Sequence, residues 1–466
     1  MEDNLILNTS SRDGSPIVKP MELNFIHLSD IHFKREISGT VYDIDQDIRE
    51  QLIIDAQGMR KKFESITGVL VTGDIAFAGK ENEYETALDW LRTLCDRVDC
   101  SLEEVWVVPG NHDVDRGVIT KSSAIQDRHD KFRRIDPSEI DLELQRYMSD
   151  ESARESIFEP LKNYNTFAKV FSCQISADVP VWHDDLKLND GSILRLRGLN
   201  STLISNSFDD DAANKLILGS IQAAAPTEDG VEYLTLCHHP PQWLRDQDEI
   251  ERYLDTRVKV QLFGHKHRFR VDQKRYTVQV SAGAMHPDRR EPNWQPRYNI
   301  LSMVINNEAD VRRLEVNIHP RVWHDSEKIF VAEACRNDSL FYDCTFDLKP
   351  WAPPVGLENA QPVIAENGIE SASSEVSSDL GAREEHPMNR VRRIAYRFYT
   401  LPYNIRLRVA QDLDLVRDED RDVPDTKLFD RYFKRAQEKR LLERLWGEVE
   451  NAHHDNRFTE NPFAGE

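Results

Sequence analysis

The stretch LNFIHLSDIH, residues 23–32, decides the fold because it joins a buried strand to a cluster of polar side chains. Leu23 to Leu28 is a mostly apolar run of strand length, and Asp30-Ile31-His32 follows it directly. The next segment carries apolar side chains at helical spacing from Ile44 to Ala56. A strand that ends in polar residues and leads into a helix is typical of an α/β sheet.

The same order of strand, polar cluster and helix continues along the chain. Strands are predicted at Gly68–Thr72 and Val105–Val108, with a helix near Tyr84–Cys95 between them. Their polar clusters are Gly73-Asp74 and Gly110-Asn111-His112-Asp113. Because ligands gather beyond the carboxyl ends of strands in open α/β sheets, the three clusters predict one shared site.

The character of the chain changes after the third cluster. Residues 116–192 are charged and mostly helical in pattern, so we expect an insertion that caps or borders the site. Beyond it, strand patterns return, as a second sheet packed on the first requires. The expected strands are Ile193–Leu199, Tyr233–Cys237, Val258–Phe263, Tyr276–Val280, Asn299–Ile305 and Leu314–Ile318.

Composition narrows the class of protein. The length of 466 residues favours one large domain and a smaller one. The 82 acidic and 60 basic residues give a formal net charge of -22. This charge argues against a protein coated in nucleic acid, because such binding rests on a basic surface. A phosphate substrate stays open, since bound metal ions supply positive charge locally.

Cysteine usage and hydropathy indicate the compartment. The six cysteines form no Cys-x-x-Cys pair, so their spacing favours neither a disulfide framework nor a zinc knot. Residues 1–20 are polar and lack the apolar core of a signal peptide. No run reaches the roughly 20 apolar residues that span a bilayer. We therefore expect a cytoplasmic protein without a membrane partner.

Two further polar clusters end strands in the second half, His238-His239-Pro240-Pro241 and Gly264-His265-Lys266-His267. Carboxylate, imidazole and amide groups together suit Mn, Fe, Zn, Ni or Co better than Ca. Asp-x-His and His-x-His pairs on extended segments can chelate an ion, because alternate side chains of a strand point the same way. The candidate metal ligands are Asp30, His32, Asp74, Asn111, His238, His265 and His267.

Taken in order, these five clusters resemble the five sequence blocks of the calcineurin-like metallophosphoesterases, over about Leu23 to Ile318. Any one block occurs by chance, whereas five in order at strand ends are specific. The resemblance implies an α/β fold, a four-layer αββα sandwich of two sheets flanked by helices, over residues 21–348. It also implies hydrolysis of a phosphate ester.

The resemblance implies two divalent metal ions, with manganese as the first choice, that share a hydroxide for in-line attack on phosphorus. Beside them, His112 would stabilise the transition state or protonate the leaving oxygen, and Asp113 would orient His112. A hydrogen-bonded loop histidine is the alternative interpretation of His112. The implied ligands are Asp30, His32 and His267 for one ion and Asn111, His238 and His265 for the other, with Asp74 bridging.

Two more residues are candidates for substrate binding. Asn200 resembles a position where family members carry Asp or Asn near the site, and a turn residue is the equally good alternative. His239 is the weaker ligand of its pair, because the family pattern is His-x-Pro, so we expect it to support the ligands or to touch the substrate. Gly110 and Gly264 are expected to let the backbone turn tightly beside the metals.

The second and third blocks bear on the substrate. Phosphoprotein phosphatases of this superfamily carry Gly-Asp-x-x-Asp-Arg-Gly and Gly-Asn-His-Glu, and this sequence departs from both. The continuation from Gly79 to Tyr84 is similar to the branch that contains cyclic-nucleotide and other small phosphodiesterases, which implies a phosphodiesterase acting on a nucleotide-like substrate. A nuclease acting on DNA or RNA is the alternative, and a basic groove near Arg133, Arg134 or Arg268 would favour it. A scaffold that has lost catalysis is a further alternative, although no ligand is missing.

The remainder of the chain predicts a linker and a small helical domain. Residues 349–387 are poor in apolar residues and read as a disordered linker. Helical periodicity resumes over residues 388–455, before a flexible tail at 456–466. The spacing of apolar residues from Phe429 to Val449 predicts one last helix, with Asp425 as its N-cap.

This helical domain resembles the small death-like adaptor domains appended to bacterial conflict and signalling enzymes. Phe398-x-x-Leu401 and Leu441 to Trp446 carry the resemblance. It implies a domain that recruits a partner protein or regulates the enzyme, in a setting such as antiviral defence. A helical bundle that only docks on the enzyme is the alternative.

Overall fold

The computed structural model describes two parts of the chain. They are residues 22–353, except 35–42, 44, 207–214, 288–294, 309–310 and 336–338, and residues 394–455, except 395–397, 399–400, 402, 418–419 and 421–424. The predicted N-terminal segment 1–20, most of the predicted linker 349–387 and the tail 456–466 lie outside the described residues.

The first three strands are buried at every residue, as expected for parallel strands that are covered on both faces. They are β1 (Leu23–Leu28), β2 (Gly68–Val71) and β3 (Val105–Val107), and they run parallel. Two long helices, α1 (Gln46–Phe63) and α2 (Glu81–Val98), connect them. The predicted strand–helix rhythm is therefore present, and each strand delivers its polar cluster to the same edge of the sheet.

Four antiparallel strands complete the first sheet, in the order β12-β11-β10-β1-β2-β3 with β13 also on β11. The long hairpin of β10 and β11 attaches to β1 through β10. The added strands are β10 (Arg297–Glu308), β11 (Val311–His324), β12 (Ile329–Ala332) and β13 (Tyr342–Asp347).

The second sheet has the order β4-β5-β6-β7-β9-β8. Its four central strands are parallel, and the two edge strands are antiparallel to their neighbours. The strands are β4 (Trp182–Lys187), β5 (Ile193–Gly198), β6 (Val231–Cys237), β7 (Val258–Phe263), β8 (Arg270–Gln273) and β9 (Val278–Ser281).

One apolar core joins the two sheets, and tryptophan side chains tie their edges together. Trp106 of β3 donates from Nε1 to Asp184 of β4 at 2.9 Å, and Trp182 donates to the carbonyl of Val107 at 3.0 Å. Helices α8 (Ser220–Ala223) and α9 (Gln247–Arg257) accompany the second sheet as α1 and α2 accompany the first. The predicted αββα sandwich is confirmed.

Five helices occupy much of the predicted insertion. They are α3 (Arg116–Lys121), α4 (Ser123–Arg134), α5 (Ile140–Ser149), α6 (Glu151–Phe158) and α7 (Lys162–Ala168). Residues 116–192 are mostly helical, as expected, but the strand β4 near their end was not predicted. The β4 side chains alternate between buried and more exposed, so its WHDDLK sequence has too few apolar residues to predict a strand. The short outer strands β8, β12 and β13 likewise escape prediction.

The C-terminal region forms a separate helical unit with its own apolar core. Its helices are α10 (Tyr403–Asp412), α11 (Asp425–Glu438) and α12 (Leu442–Asp455). The prediction of one last helix is wrong, and α11 begins at Asp425 rather than after it. The break falls at Arg440, which has a φ of 57°, while the Leu441 N–H donates to the Ala436 carbonyl at 2.8 Å. Such a helix end usually carries glycine, so the sequence does not reveal it.

Among the described helices, none combines the length and the apolar character that crossing a bilayer requires.

Candidate metal centre

The loops that follow β1 and β2 run side by side, held by backbone hydrogen bonds. The Asp30 N–H donates to the Gly73 carbonyl at 3.0 Å, and the Ile31 N–H donates to the Asp74 carbonyl at 2.9 Å. The loop after β7 joins them, because the His265 N–H donates to Asp30 Oδ2 at 3.2 Å. Backbone N–H groups thus connect three of the five predicted blocks, two through carbonyl acceptors and one through the Asp30 carboxylate.

Five candidate ligands share an unusual backbone conformation, the left-handed region that non-glycine residues rarely adopt. This conformation costs roughly 1–2 kcal/mol per residue, and such strain concentrates at functional sites. The prediction that the Asp-x-His and His-x-His pairs lie on extended segments is wrong, since both pairs bend into this region after their strands end. The residues and φ values are Asp30 53°, His32 53°, Asp74 53°, His265 67° and His267 51°.

One group of ligand atoms gathers around Asp30. The Asp30 Oδ1 atom lies 3.3 Å from His267 Nε2, and the ring centroids of His32 and His267 are 5.9 Å apart. The donor atoms of these three residues all lie within 4.8 Å of one another. This group corresponds to the ligands predicted for the first ion.

A second group gathers around the side-chain oxygen of Asn111. Three imidazole nitrogens approach Asn111 Oδ1: His238 Nε2 at 3.1 Å, His239 Nε2 at 3.2 Å and His265 Nδ1 at 3.1 Å. The donor atoms of the three histidines also lie within 4.8 Å of one another. The ligands predicted for the second ion are therefore brought together, with His239 added to them.

Asp74 lies between the two groups. Its Oδ2 atom is 3.3 Å from His238 Nε2 in one group and 3.9 Å from His32 Nε2 in the other. Its Oδ1 atom accepts a hydrogen bond from the His112 backbone N–H at 2.8 Å, which fixes the carboxylate. Asp74 therefore lies close to one histidine of each group.

The protonation of His238 tests whether these residues suit a cation. Its Nδ1 atom lies 2.7 Å from the Thr72 carbonyl, so Nδ1 carries a proton. In a neutral ring the Nε2 lone pair then faces the oxygens of Asp74 and Asn111. Burial alone lowers the pKa of His238, but the Asp74 carboxylate raises it to about 9. The site thus attracts a positive charge to this nitrogen, which a metal ion supplies as well as a proton does.

The other ligand atoms also fit a cation. Asp30 Oδ1 is buried and lies 3.3 Å from His267 Nε2. Burial alone raises the pKa of Asp30, but the neighbouring His267 lowers it to about 2, so the carboxylate is ionised. Burial lowers the pKa of His32 and of His265 to about 3, so their rings are neutral and keep a lone pair. Ionised oxygens and neutral imidazoles are the forms that bind metals.

A family model described as calcineurin-like phosphoesterase matches residues 23–269, more than half of the chain. The protein belongs to the calcineurin-like phosphoesterase family. All seven candidate ligands of this phosphoesterase fall inside the matched range. A second family model, described as GTPase-associated adaptor domain, matches residues 390–451. The predicted resemblances of both regions are confirmed.

Solved structures resemble the phosphoesterase at low identity. Vacuolar protein sorting 29 from Cryptosporidium parvum is 12% identical with a TM-score of 0.30, covering 70% of this chain and 100% of that one. The Zn-complexed Vps29 of Entamoeba histolytica is 14% identical with a TM-score of 0.27, covering 70% and 99%. A purple acid phosphatase from yellow lupin is 11% identical with a TM-score of 0.35, covering 72% and 55%. No curated protein matches the chain.

His112 of the phosphoesterase borders the candidate ligands without belonging to either implied set. Its Nδ1 atom lies 2.7 Å from the Phe77 carbonyl and so donates to it, and its ring centroid is 4.6 Å from that of His32. In the neutral ring, Nε2 is then the nitrogen without a proton. The position suits proton exchange with a molecule bound at the site.

Asp113 does not hold the His112 ring, so the prediction that it orients His112 is wrong. Its carboxylate accepts hydrogen bonds from the backbone N–H groups of Gly110 at 2.9 Å, Ala76 at 2.9 Å and Ile75 at 3.2 Å. It also accepts one from the Tyr84 hydroxyl at 3.0 Å. Asp113 therefore clamps the second block to the third, and the Phe77 carbonyl orients His112.

The two substrate-binding candidates differ in position. His239 lies in the second ligand group, and its Nδ1 atom is 2.8 Å from the Ser201 hydroxyl. Asn200 is buried, and its Oδ1 atom accepts hydrogen bonds from the N–H and the hydroxyl of Thr202 at 2.8 and 2.7 Å. Asn200 thus forms a side-chain turn. This geometry favours the turn interpretation, while His239 stays a candidate for binding.

Glycines provide space beside the ligands. A Cβ atom on Gly110 would overlap the Asp74 carboxylate, and one on Gly264 would overlap the Ser29 hydroxyl. Gly110 has a φ of -105°, which any residue adopts, so the expected tight turn is not the reason for glycine there. Gly73, which packs against Gly110, does have a left-handed backbone, with a φ of 89°.

Proposed function

We propose that the protein is a phosphodiesterase that uses two divalent metal ions to hydrolyse a nucleotide-like substrate. The observation that supports this most is the pair of ligand groups with Asp74 between them, 3.3 Å from His238 and 3.9 Å from His32. Mixed nitrogen and oxygen ligands favour Mn, Fe, Zn, Ni or Co, and we choose manganese as the first candidate. When bound, such ions activate water and screen the charge of the phosphate.

The side chains of the site have separate roles in this proposal. Asp30, His32 and His267 hold one ion, Asn111, His238 and His265 hold the other, and Asp74 contacts both. His112 stands beside them with Nδ1 fixed on the Phe77 carbonyl. When both ring nitrogens are protonated, its Nε2 atom holds the proton that the departing alcohol oxygen needs.

The diester specificity rests on the second sequence block. Its continuation from Gly79 to Tyr84 builds the support of His112, because Glu83 accepts hydrogen bonds from the N–H groups of Ala78 at 3.0 Å and Lys80 at 2.9 Å. Phe77, which precedes this segment by two residues, is an apolar residue that is 44% exposed and lies 6.4 Å, between ring centroids, from the candidate ligand His32. An apolar surface at this position suits the organic group of an ester, and the choice of a diester rests on the resemblance of this block to the small phosphodiesterases.

The C-terminal helical unit is proposed to act as an adaptor. It has an apolar core of its own, and the description of the matched family favours a GTPase as the protein that it binds. We place this complex in the cytoplasm, in bacterial defence or signalling. Full-length protein and a variant that ends at residue 387 would be compared for partner capture and activity in cells, and equal results would contradict the adaptor role.

A direct activity assay tests the phosphodiesterase proposal. The protein, stripped of metal and given Mn²⁺, should hydrolyse bis(p-nitrophenyl) phosphate, and p-nitrophenyl phosphate much more slowly. Asp74→Ala and His112→Ala should lose about 100-fold or more in kcat. His183→Ala is the matched control, since His183 is exposed on the edge strand β4. Hydrolysis of the monoester alone would contradict the diester claim, and no hydrolysis with metal bound would favour a scaffold.

A further inference from the structure

An aromatic ring with a lysine ammonium over it stands on each side of the candidate metal centre. On the side of His112, the Lys34 Nζ atom lies 4.8 Å from the ring centroid of Phe77. On the side of His265, the Lys266 Nζ atom lies 5.0 Å from the ring of Trp243, which packs edge-on against His265 at 4.9 Å. Neither pair is used by the hydrolytic step described above.

The two rings differ in exposure. Phe77 is 44% exposed, whereas Trp243 is partly buried and packs into the core. The exposed fraction of the ring is therefore larger for Phe77 than for Trp243. Single exposed apolar residues are common on protein surfaces, so the position of Phe77 and the way it is held must carry the argument.

Phe77 is held rigidly by its own backbone. Its N–H donates to the Phe33 carbonyl at 3.0 Å, and its carbonyl accepts the hydrogen bond from His112 Nδ1 at 2.7 Å. Its ring lies 5.5 Å from the ring of His112 and 6.4 Å from that of His32. The residue that orients the proposed proton donor thus also presents an aromatic surface beside it.

We propose that Phe77 is a specificity-determining residue, on which the leaving alcohol of the substrate stacks through a planar base. The alcohol that leaves must lie next to the group that protonates it, and that group is His112, which touches Phe77. Aromatic rings can stack on any of the nucleobases, and Lys34 adds positive charge near the anionic phosphodiester. The substrate class is a phosphodiester whose leaving group is a nucleoside.

This inference rests on the proposed phosphodiesterase function, and its chemistry is ordinary hydrolysis. The oxygen of a water molecule forms a bond to phosphorus, while the bond from phosphorus to the nucleoside oxygen breaks. The nucleoside oxygen takes a proton from His112, the attacking water releases a proton to the solvent, and His112 takes one back from the solvent after the step. The phosphomonoester of the retained alcohol is the second product.

Two matched substrates test the inference with the full-length, Mn²⁺-loaded protein. One is the methyl phosphodiester of thymidine at its 5′ oxygen, and the other is the same diester of the base-free deoxyribose. We expect release of thymidine and methyl phosphate, with kcat/KM roughly 5- to 150-fold higher for the diester that carries the base. Phe77→Leu should bring this ratio close to 1.

Tyr276→Leu is the matched control variant. Tyr276 is also exposed and also has a cation over its ring, with Arg275 at 4.9 Å. It lies between β8 and β9, at the end of the second sheet opposite to the carboxyl end of β7. The ratio of kcat/KM for the two diesters should be the same in Tyr276→Leu as in the unchanged protein.

The outcomes separate this inference from the function on which it rests. Equal kcat/KM for the two diesters in the unchanged protein, or a ratio that survives Phe77→Leu, would overturn the stacking role while leaving the phosphodiesterase intact. Release of methanol and thymidine 5′-phosphate would place the nucleoside on the retained side and would also overturn it. Failure to hydrolyse any diester, including bis(p-nitrophenyl) phosphate, would remove the proposed function itself.

Discussion

Replacing Asp113 by alanine should destabilise the phosphoesterase domain rather than act on catalysis directly. The carboxylate accepts four hydrogen bonds, from Gly110, Ala76, Ile75 and Tyr84. At about 1 kcal/mol for each bond, their loss costs about 4 kcal/mol. Burial and the charge of Asp74 raise the pKa of Asp113 to about 6, so the ionised group is itself disfavoured. The cost of burying the carboxylate offsets part of that sum, while the four donors lose their acceptor in the variant, so the expected loss is about 1–3 kcal/mol.

Urea unfolding followed by tryptophan fluorescence measures this loss. Asp89→Ala is the matched control, because Asp89 lies on α2 with its side chain 76% exposed and pairs with Arg92 at 3.0 Å. The control should change the free energy of unfolding by less than about 0.5 kcal/mol. A similarly small change for Asp113→Ala, together with a fall in kcat of roughly ten-fold or more, would refute the clamp and restore a role in orienting His112.

Three further substitutions test contacts at the site, between the two sheets and in the C-terminal unit. Gly110→Ala should lower metal occupancy and activity together, because the added methyl group overlaps the Asp74 carboxylate; full occupancy by elemental analysis would contradict this. Trp106→Phe should destabilise the protein by about 1–3 kcal/mol, since it leaves the Asp184 carboxylate without the hydrogen bond from Nε1; an unchanged urea midpoint would count against it. Arg435→Ala should destabilise the C-terminal unit, because Arg435 pairs with the buried Asp420, and limited proteolysis should then cut that unit faster while the phosphoesterase domain is cut at its former rate.

The position of the site could be predicted in part, because three polar clusters follow parallel strands of the first sheet and two follow parallel strands of the second. Parallel strands bring their carboxyl ends to one edge of their own sheet, whereas the meeting of Asp30 with His267 also requires the two sheets to pack with these edges together. The choice of His238 over His239 does not follow from position along the chain, and both imidazoles approach Asn111 Oδ1 at nearly equal distances. Periodicity cannot separate two adjacent histidines on a loop.

The local geometry of the site could not be predicted, because it is not set by periodicity. The left-handed backbone of Asp30 accompanies the hydrogen bond of its N–H to the Gly73 carbonyl, a tertiary contact that the residue type does not reveal. The partner of the His112 ring is the Phe77 carbonyl, and a main-chain acceptor cannot be identified from the sequence because every residue has one. The edge strand β4 also escaped, because one of its faces is polar.

Metal stoichiometry tests the central claim most directly. A chelator would remove metal from the full-length protein, which would then be dialysed against Mn²⁺ and desalted to remove unbound ions. Elemental analysis would measure its metal content alongside that of Asp74→Asn and of the exposed control Asp89→Asn. The two ligand groups predict about two ions per chain for the unchanged protein and for the control, and fewer than one for Asp74→Asn. Fewer than about one ion in ten chains of the unchanged protein, or equal occupancy in Asp74→Asn, would contradict a two-metal centre bridged by Asp74.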